Sequence, residues 1–114
     1  MTVKVGEEAE DRAAAALEAA GYTIVTRNWR CDAGELDVVA REGSVLAFVE
    51  VRSRSDDGHG HAAEMVGARK RAHVTRVARV YLAIERPIEP EMRFDIVAVT
   101  GSEITILRDA WRLT

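Results

Sequence analysis

The chain has a single cysteine, Cys31, among 114 residues. A disulfide within the chain is therefore excluded, and so is a zinc site built on cysteines. No apolar run approaches the ~20 residues that span a bilayer. The first residues, Met1-Thr2-Val3-Lys4-Val5-Gly6-Glu7, lack the apolar stretch of a secretory signal. No membrane partner is expected, and the cytoplasm is the expected compartment. There is no basic excess either. The net charge of −3 argues against a general polyanion binder, although a local basic face is still allowed. Internal repeats, low-complexity tracts and linkers are missing too. What remains is 47% hydrophobic and 31% charged, the composition of a folded globular chain. Its length suits one core, so residues 1–114 are read as one domain.

Periodicity divides the chain into seven elements. From about Gly6 to Ala20 an alanine-rich pattern predicts a helix, with Gly21 placed to cap it. At about 100° per residue, Ala13, Ala14, Leu17 and Ala20 form one stripe. Glu10 falls near its centre, while Glu8 and Asp11 point away. Glu10 has two readings: an acid complementing the helix dipole, or a carboxylate aimed at the sheet. Tyr22 to Arg30 predicts the first strand, closed by Asn28-Trp29-Arg30, with Trp29 as packing. Gly34 to Ala40 and Val45 to Arg54 predict a hairpin with a polar tip at Arg41 to Ser44.

Ser55 to His61 predicts a loop, and His59 and His61 read better as part of it than as a metal pair. Ala62 to about Ile84 predicts a long helix ended by Arg86-Pro87. Its apolar stripe, centred on Val77, takes in Val66, Val74, Val80, Tyr81 and Ile84. Lys70 lies within about 20° of that centre and His73 within about 40°. Lys70 either snorkels along the helix edge or reaches the hairpin; His73 reads as a satisfied, semi-buried histidine. Met92 to Thr100 and Glu103 to Leu107, joined by Gly101-Ser102, predict two last strands. Asp95 reads as the salt-bridge partner of Arg93 or another arginine, and Trp111 as packing for the C-terminal segment. The order α-β-β-β-α-β-β implies an α/β (α+β) fold. Its mixed sheet of about five strands has a helix on each side.

The hairpin carries the chemistry. Residues two apart on a strand share a face, so Glu35 and Asp37 lie together on the first strand, and Glu50, Arg52 and Arg54 on the second. A two-residue turn at Glu42-Gly43 sets Asp37 diagonal to Glu50. A four-residue loop sets them directly opposite. Either way two carboxylates meet on one face, where they repel and are costly to desolvate. The usual solution is a divalent cation held by oxygen ligands, Mg²⁺ or Mn²⁺. Glu10, Asp37, Glu50 and Lys70 are polar residues at positions that structure would fill with apolar ones, and they come from four different elements. A cation among them favours phosphodiester hydrolysis, with Lys70 orienting water or stabilising charge. Arg52, Arg54, Arg69 and Arg76 would hold phosphates at the rim.

Gly34-Glu35-Leu36-Asp37, followed by Phe48-Val49-Glu50-Val51-Arg52-Ser53-Arg54, resembles the PD-(D/E)xK nuclease signature. More narrowly, nearly the whole chain resembles the YraN family of small bacterial proteins. These are regarded as predicted endonucleases distantly similar to archaeal Holliday junction resolvases. Arg27-Asn28-Trp29-Arg30, the glycine loop with the Lys70 helix, and Arg93-Phe94-Asp95 extend the match. The resemblance implies a restriction-endonuclease-like core. It implies Mg²⁺ or Mn²⁺ bound by Asp37, Glu50 and the Val51 backbone carbonyl, with Glu10 as the helix acid of the resolvase-like and RecB-like branches.

One position departs from the motif. The usual lysine is Arg52, which stays protonated at any working pH. It can stabilise charge and grip phosphate, but it cannot act as a base. Either Lys70 replaces that lysine from the helix, or the metal-activated water suffices. The catalytic set is then Asp37, Glu50, Arg52 and Lys70. Three functions remain open: a metal-dependent endonuclease on structured or branched DNA, a non-catalytic nucleic-acid-binding or repair accessory protein with a relic site, and an interaction protein whose acids only form salt bridges. Nucleic acid, chiefly DNA, is the expected partner. Resolvase-like nucleases commonly work as two-fold dimers, so the resemblance also allows a homodimer.

Overall fold

β3 (Val45–Arg54) is apolar on both faces, which makes it the centre of the sheet. Leu46 and Phe48 face one way and Ala47, Val49 and Val51 the other, all buried. In a computed structural model, described for residues 2–54 and 66–113, the order is α1 (Thr2–Ala19), β1 (Thr23–Cys31), β2 (Gly34–Glu42), β3, α2 (Ala68–Glu85), β4 (Glu91–Thr100) and β5 (Glu103–Trp111). The strands form one mixed sheet in the order β1-β2-β3-β4-β5. Only β3 and β4 run parallel, with α2 in the connection between them. The expected α-β-β-β-α-β-β order and the helix on each side are both observed.

α1 seats Ala9, Ala13 and Leu17 on Val38, Ala40, Ala47, Val49, Val97 and Val99. Ala20, expected in that stripe, is exposed beyond the helix end, where Gly21 turns the chain at φ 105. α2 seats Val74, Val77, Ala78 and Tyr81 on Leu36, Val39, Leu46, Phe48 and Phe94. Two expectations for this helix need correction. It begins at Ala68, because Gly67 caps it in an extended conformation. Val66 is buried without being helical. The helical face also turns toward Ala78 and Leu82, which leaves Ile84 outward and 60% exposed.

Aromatic rings tie the α2 layer together. Phe94 stacks on Trp111 at 4.7 Å, and Trp111 Nε1 donates to Thr75 Oγ1 at 3.0 Å. Trp29 meets Tyr81 edge-on, as its packing role required. β5 runs on to Trp111 because Asp109, at φ 60, absorbs a register shift opposite Asp95. Asp95 is fully buried and satisfied. It accepts from Tyr22 Oη (2.7 Å), from Arg93 Nε and Nη2 (2.9 Å each) and from the Asp109 backbone N–H (2.9 Å). Its expected pairing with Arg93 is thus observed. Burial, followed by the Asp95 hydrogen bond, raises the Tyr22 phenol well above its ordinary value. Arg93 also donates to Glu42 at 2.7 Å. Arg108 is the largest of the influences holding that carboxyl down to about 2.

Gly34 explains how closely α2 approaches β2. Its φ is 148, and a Cβ there would lie 2.6 Å from His73 Nε2 and 3.0 Å from Val77 Cγ2. Gly34→Ala is expected to cost about 1–3 kcal/mol, from backbone strain and overpacking. A lowered urea midpoint at unchanged slope would show it.

Candidate active site

The β2–β3 hairpin turns at Gly43-Ser44, with Gly43 at φ 60. Its register is Val38↔Val49, Val39↔Phe48 and Ala40↔Ala47. Continued by one residue, it sets Asp37 opposite Glu50, the directly opposed arrangement. Pairing stops at Val38↔Val49, however, although β2 stays paired with β1 as far as Gly34↔Cys31. The two strands fork at the acids.

The fork releases the Val51 backbone on the side facing β2, and both of its polar groups find side chains. The Val51 N–H donates to Asp37 Oδ2 at 2.9 Å. The Val51 carbonyl accepts from Arg52 Nη1 at 3.0 Å. The other arm, Nη2, reaches Glu50 Oε1 at 3.2 Å, and Lys70 Nζ stands 3.9 Å from that same oxygen. Lys70 lies in the first turn of α2, one turn above Val74. Its side chain is 43% exposed, so it runs along the helix edge and still reaches the hairpin acid. Asp37, Glu50, Val51, Arg52 and Lys70 are therefore brought together.

Electrostatics mark Glu50 as the costly group. Its side chain is 2% exposed. Burial first, and then the charge of Asp37, push its carboxyl up to about 7, against the pull of Arg52 and Lys70. Asp37 also moves up, chiefly by burial, with the Val51 hydrogen bond opposing the rise. Two adjacent carboxylates with raised proton affinity form a donor set short of positive charge.

Glu10 lies on α1, on the face of the sheet opposite α2, where the charge of Asp37 reaches it. Asn28, missed as a site residue by sequence reasoning, links it to Glu35 of β2. With its amide oriented to donate, its nitrogen bonds Glu10 Oε1 at 3.2 Å and Glu35 Oε2 at 2.9 Å. Asn28 sits at φ 56, a conformation that asparagine tolerates better than most residues. An asparagine interrupting an otherwise β-forming run was the available signal. Burial, then the charge of Asp37, raises the Glu10 carboxyl.

Among the described residues no three His, Cys, Asp or Glu side chains form a group able to hold a metal ion. The donors that do converge are Asp37, Glu50 and the Val51 carbonyl, all hard oxygens. That set fits Mg²⁺ or Mn²⁺, which bind through one or two carboxylates and keep several waters.

A groove of about 820 Å³ opens at the start of α2, lined in part by Arg69, Lys70, His73 and Arg76. Arg69 is exposed toward it, and Arg76 Nη2 lies 3.3 Å from His73 Nδ1. Arg71, by contrast, donates to the Val66 carbonyl and lies over the Trp111 ring. The basic run at 69–71 thus divides between groove and core. The side chain of Arg54, and His59 and His61, lie outside the described residues.

This arrangement can be set beside known proteins. A family described as "Uncharacterised protein family UPF0102" matches residues 9–99. The chain belongs to the UPF0102 family. A UPF0102 protein of Syntrophus aciditrophicus is 39% identical over 117 residues, covering 99% of this chain and 92% of its own. One from Chloroflexus aurantiacus is 46% identical over 99 residues (86% and 80% of the two chains). One from Halorhodospira halophila is 45% identical over 107 residues (94% and 86%). The UPF0102 match runs from the middle of α1 through most of β4, and so includes the fork and the first turn of α2. No helix among the described residues is long and apolar enough to cross a membrane.

Proposed function

We propose that this UPF0102 protein is a metal-dependent endonuclease that hydrolyses phosphodiester bonds in structured or branched DNA. The observation that carries the reading is the convergence of Asp37, Glu50 and the Val51 carbonyl at a forked pair of strands. Lys70 stands beside Glu50 and also lines the groove with Arg69, His73 and Arg76. A divalent cation on those oxygens supplies Lewis-acid stabilisation of the phosphate and activates a water.

The chain's own groups do the rest. Asp37 is fixed by the Val51 N–H, so its carboxylate is aimed before any ligand arrives. Glu50 is walled from solvent, which strengthens its attraction for a cation. Lys70 places an ammonium where negative charge grows on the phosphate. Arg69 and Arg76 give phosphates a track along the start of α2. Arg52 cannot take a proton, so it serves as a charge donor to phosphate. The DNA is expected to run along the α2 side of the fork.

The contact of Arg52 with Glu50 favours a second reading, in which the protein binds DNA without cutting it. Incubation of a labelled four-way DNA junction with Mn²⁺ separates the two. The first reading expects nicked products from the wild-type chain and a loss of about 10³-fold or more in Asp37→Ala. Salt-sensitive binding with no products supports the second reading instead.

A further inference from the structure

Arg52 holds two of the three oxygens that the proposed cation needs. Nη1 sits 3.0 Å from the Val51 carbonyl and Nη2 sits 3.2 Å from Glu50 Oε1. A magnesium-like ion approaches its oxygens to about 2.1 Å, so on this pair it would meet the guanidinium's like charge at close range, and the two cations compete for the same oxygens. The fork of planar N–H donors suits this hold, because it offers a separate nitrogen to each acceptor in a fixed geometry. It also suits release. The Arg52 side chain is 27% exposed while Glu50 is 2% exposed, so the arginine is the partner with room to swing outward. A phosphate in the adjacent groove offers that guanidinium two oxygens of its own. Lys70, 3.9 Å from Glu50, remains behind as a weaker counter-charge.

We propose that Arg52 is a tethered counter-cation which keeps a divalent ion off Glu50 and Val51 until a nucleic-acid phosphate draws its guanidinium away. This rests on the metal-site reading above and adds a coupling to it. Metal binding and nucleic-acid binding strengthen one another, and by linkage each does so by the same factor. The chain then loads its cation on substrate.

The test is a calorimetric titration of Mn²⁺ into the full chain and into Arg52→Gln. Each is run alone and with a phosphorothioate-protected four-way DNA junction, with the heat of the DNA alone subtracted. Without DNA, Arg52→Gln is expected to bind Mn²⁺ about tenfold tighter than wild type. The junction is expected to tighten wild type by about tenfold and to change Arg52→Gln by less than about twofold. If Arg52→Gln does not fold, Arg52→Lys takes its place, with a gain of several-fold expected from loss of the bridging hold. The proposal is overturned if the variant binds Mn²⁺ no more tightly than wild type, or if the junction leaves wild-type metal affinity unchanged. In either case the metal site itself survives. Failure of every protein to bind Mn²⁺, with or without the junction, overturns the gate and the metal-site reading together.

Discussion

Glu50→Gln is expected to melt at a higher temperature than the wild-type chain at pH 8, and to lose that advantage by pH 5. The sign follows from the direction of the Glu50 shift. Its carboxyl sits at about 7 in the folded chain, against 4.5 for the ordinary group. Between those values the folded state keeps a proton that the unfolded state has released. Wild-type stability therefore falls as pH rises through that window, and the full penalty is present above pH 7. Glutamine carries no such penalty. The difference amounts to about 2–3 kcal/mol, or roughly 10 °C in a chain of this size. Thermal scans of both proteins at pH 5 and pH 8 would measure it. A Glu50→Gln protein less stable than wild type at pH 8 would mean that attraction to Arg52 and Lys70 outweighs burial. Glu50 would then be half of a structural ion pair, and the third functional class of the sequence analysis, an interaction protein, would gain.

The second large effect lies away from the fork. Asp95→Ala is expected to cost about 3–5 kcal/mol, the usual loss when one member of a buried pair is removed. Four donors converge on that carboxylate. Removing it leaves the Arg93 guanidinium, 13% exposed, with Glu42 and a long contact to the Tyr22 hydroxyl, and leaves that hydroxyl without the carboxylate to which it donates. The Asp109 bulge loses the bond that fixes it, so the end of β5 with Trp111 should loosen as well. Asp95→Asn should fall between the two, since an amide oxygen still accepts but the charge is gone. Equilibrium denaturation in urea reads this as a shift in midpoint. A loss below 1 kcal/mol in Asp95→Ala would contradict the anchoring role. Among the described residues Glu50 and Asp95 are the two buried charged ones, and their expected effects have opposite signs. Asp95 is fully partnered, whereas Glu50 is held beside a second acid.

Much of this was legible in the chain because periodicity reports faces. The alternation through Leu46, Phe48 and Glu50 put those three on one face, and the spacing of Lys70 from Val74 and Val77 put the lysine on the apolar side of its helix, with reach to the hairpin as one of two readings. Gly101-Ser102 and Gly21 marked their turns through the backbone freedom of glycine. The hairpin register was left between two alternatives, since pattern alone does not decide how far pairing continues into a polar tip. The structure pairs Glu42 with Val45, so the turn is Gly43-Ser44, neither the Glu42-Gly43 turn nor the four-residue loop that were expected, and its register is the directly opposed one. The start of α2 was misplaced because Val66 fits the apolar stripe by number, whereas Gly67 breaks the backbone first. The fork itself was not legible. It depends on β2 following β1 while β3 follows β4, and on Asp37 taking over a backbone N–H, which are properties of the assembled sheet. Asn28 escaped for the same reason, since its two acceptors come from α1 and β2.

The most direct measurement of the central claim is a Mn²⁺ titration at pH 8 of the wild-type chain and Glu50→Gln, each with the protected DNA junction. Asp37, Glu50 and the Val51 carbonyl, if they form a cation site, predict saturable binding to the wild type and none to Glu50→Gln. Absence of saturable binding to the wild type with the junction present, or equal binding by both proteins, would contradict it.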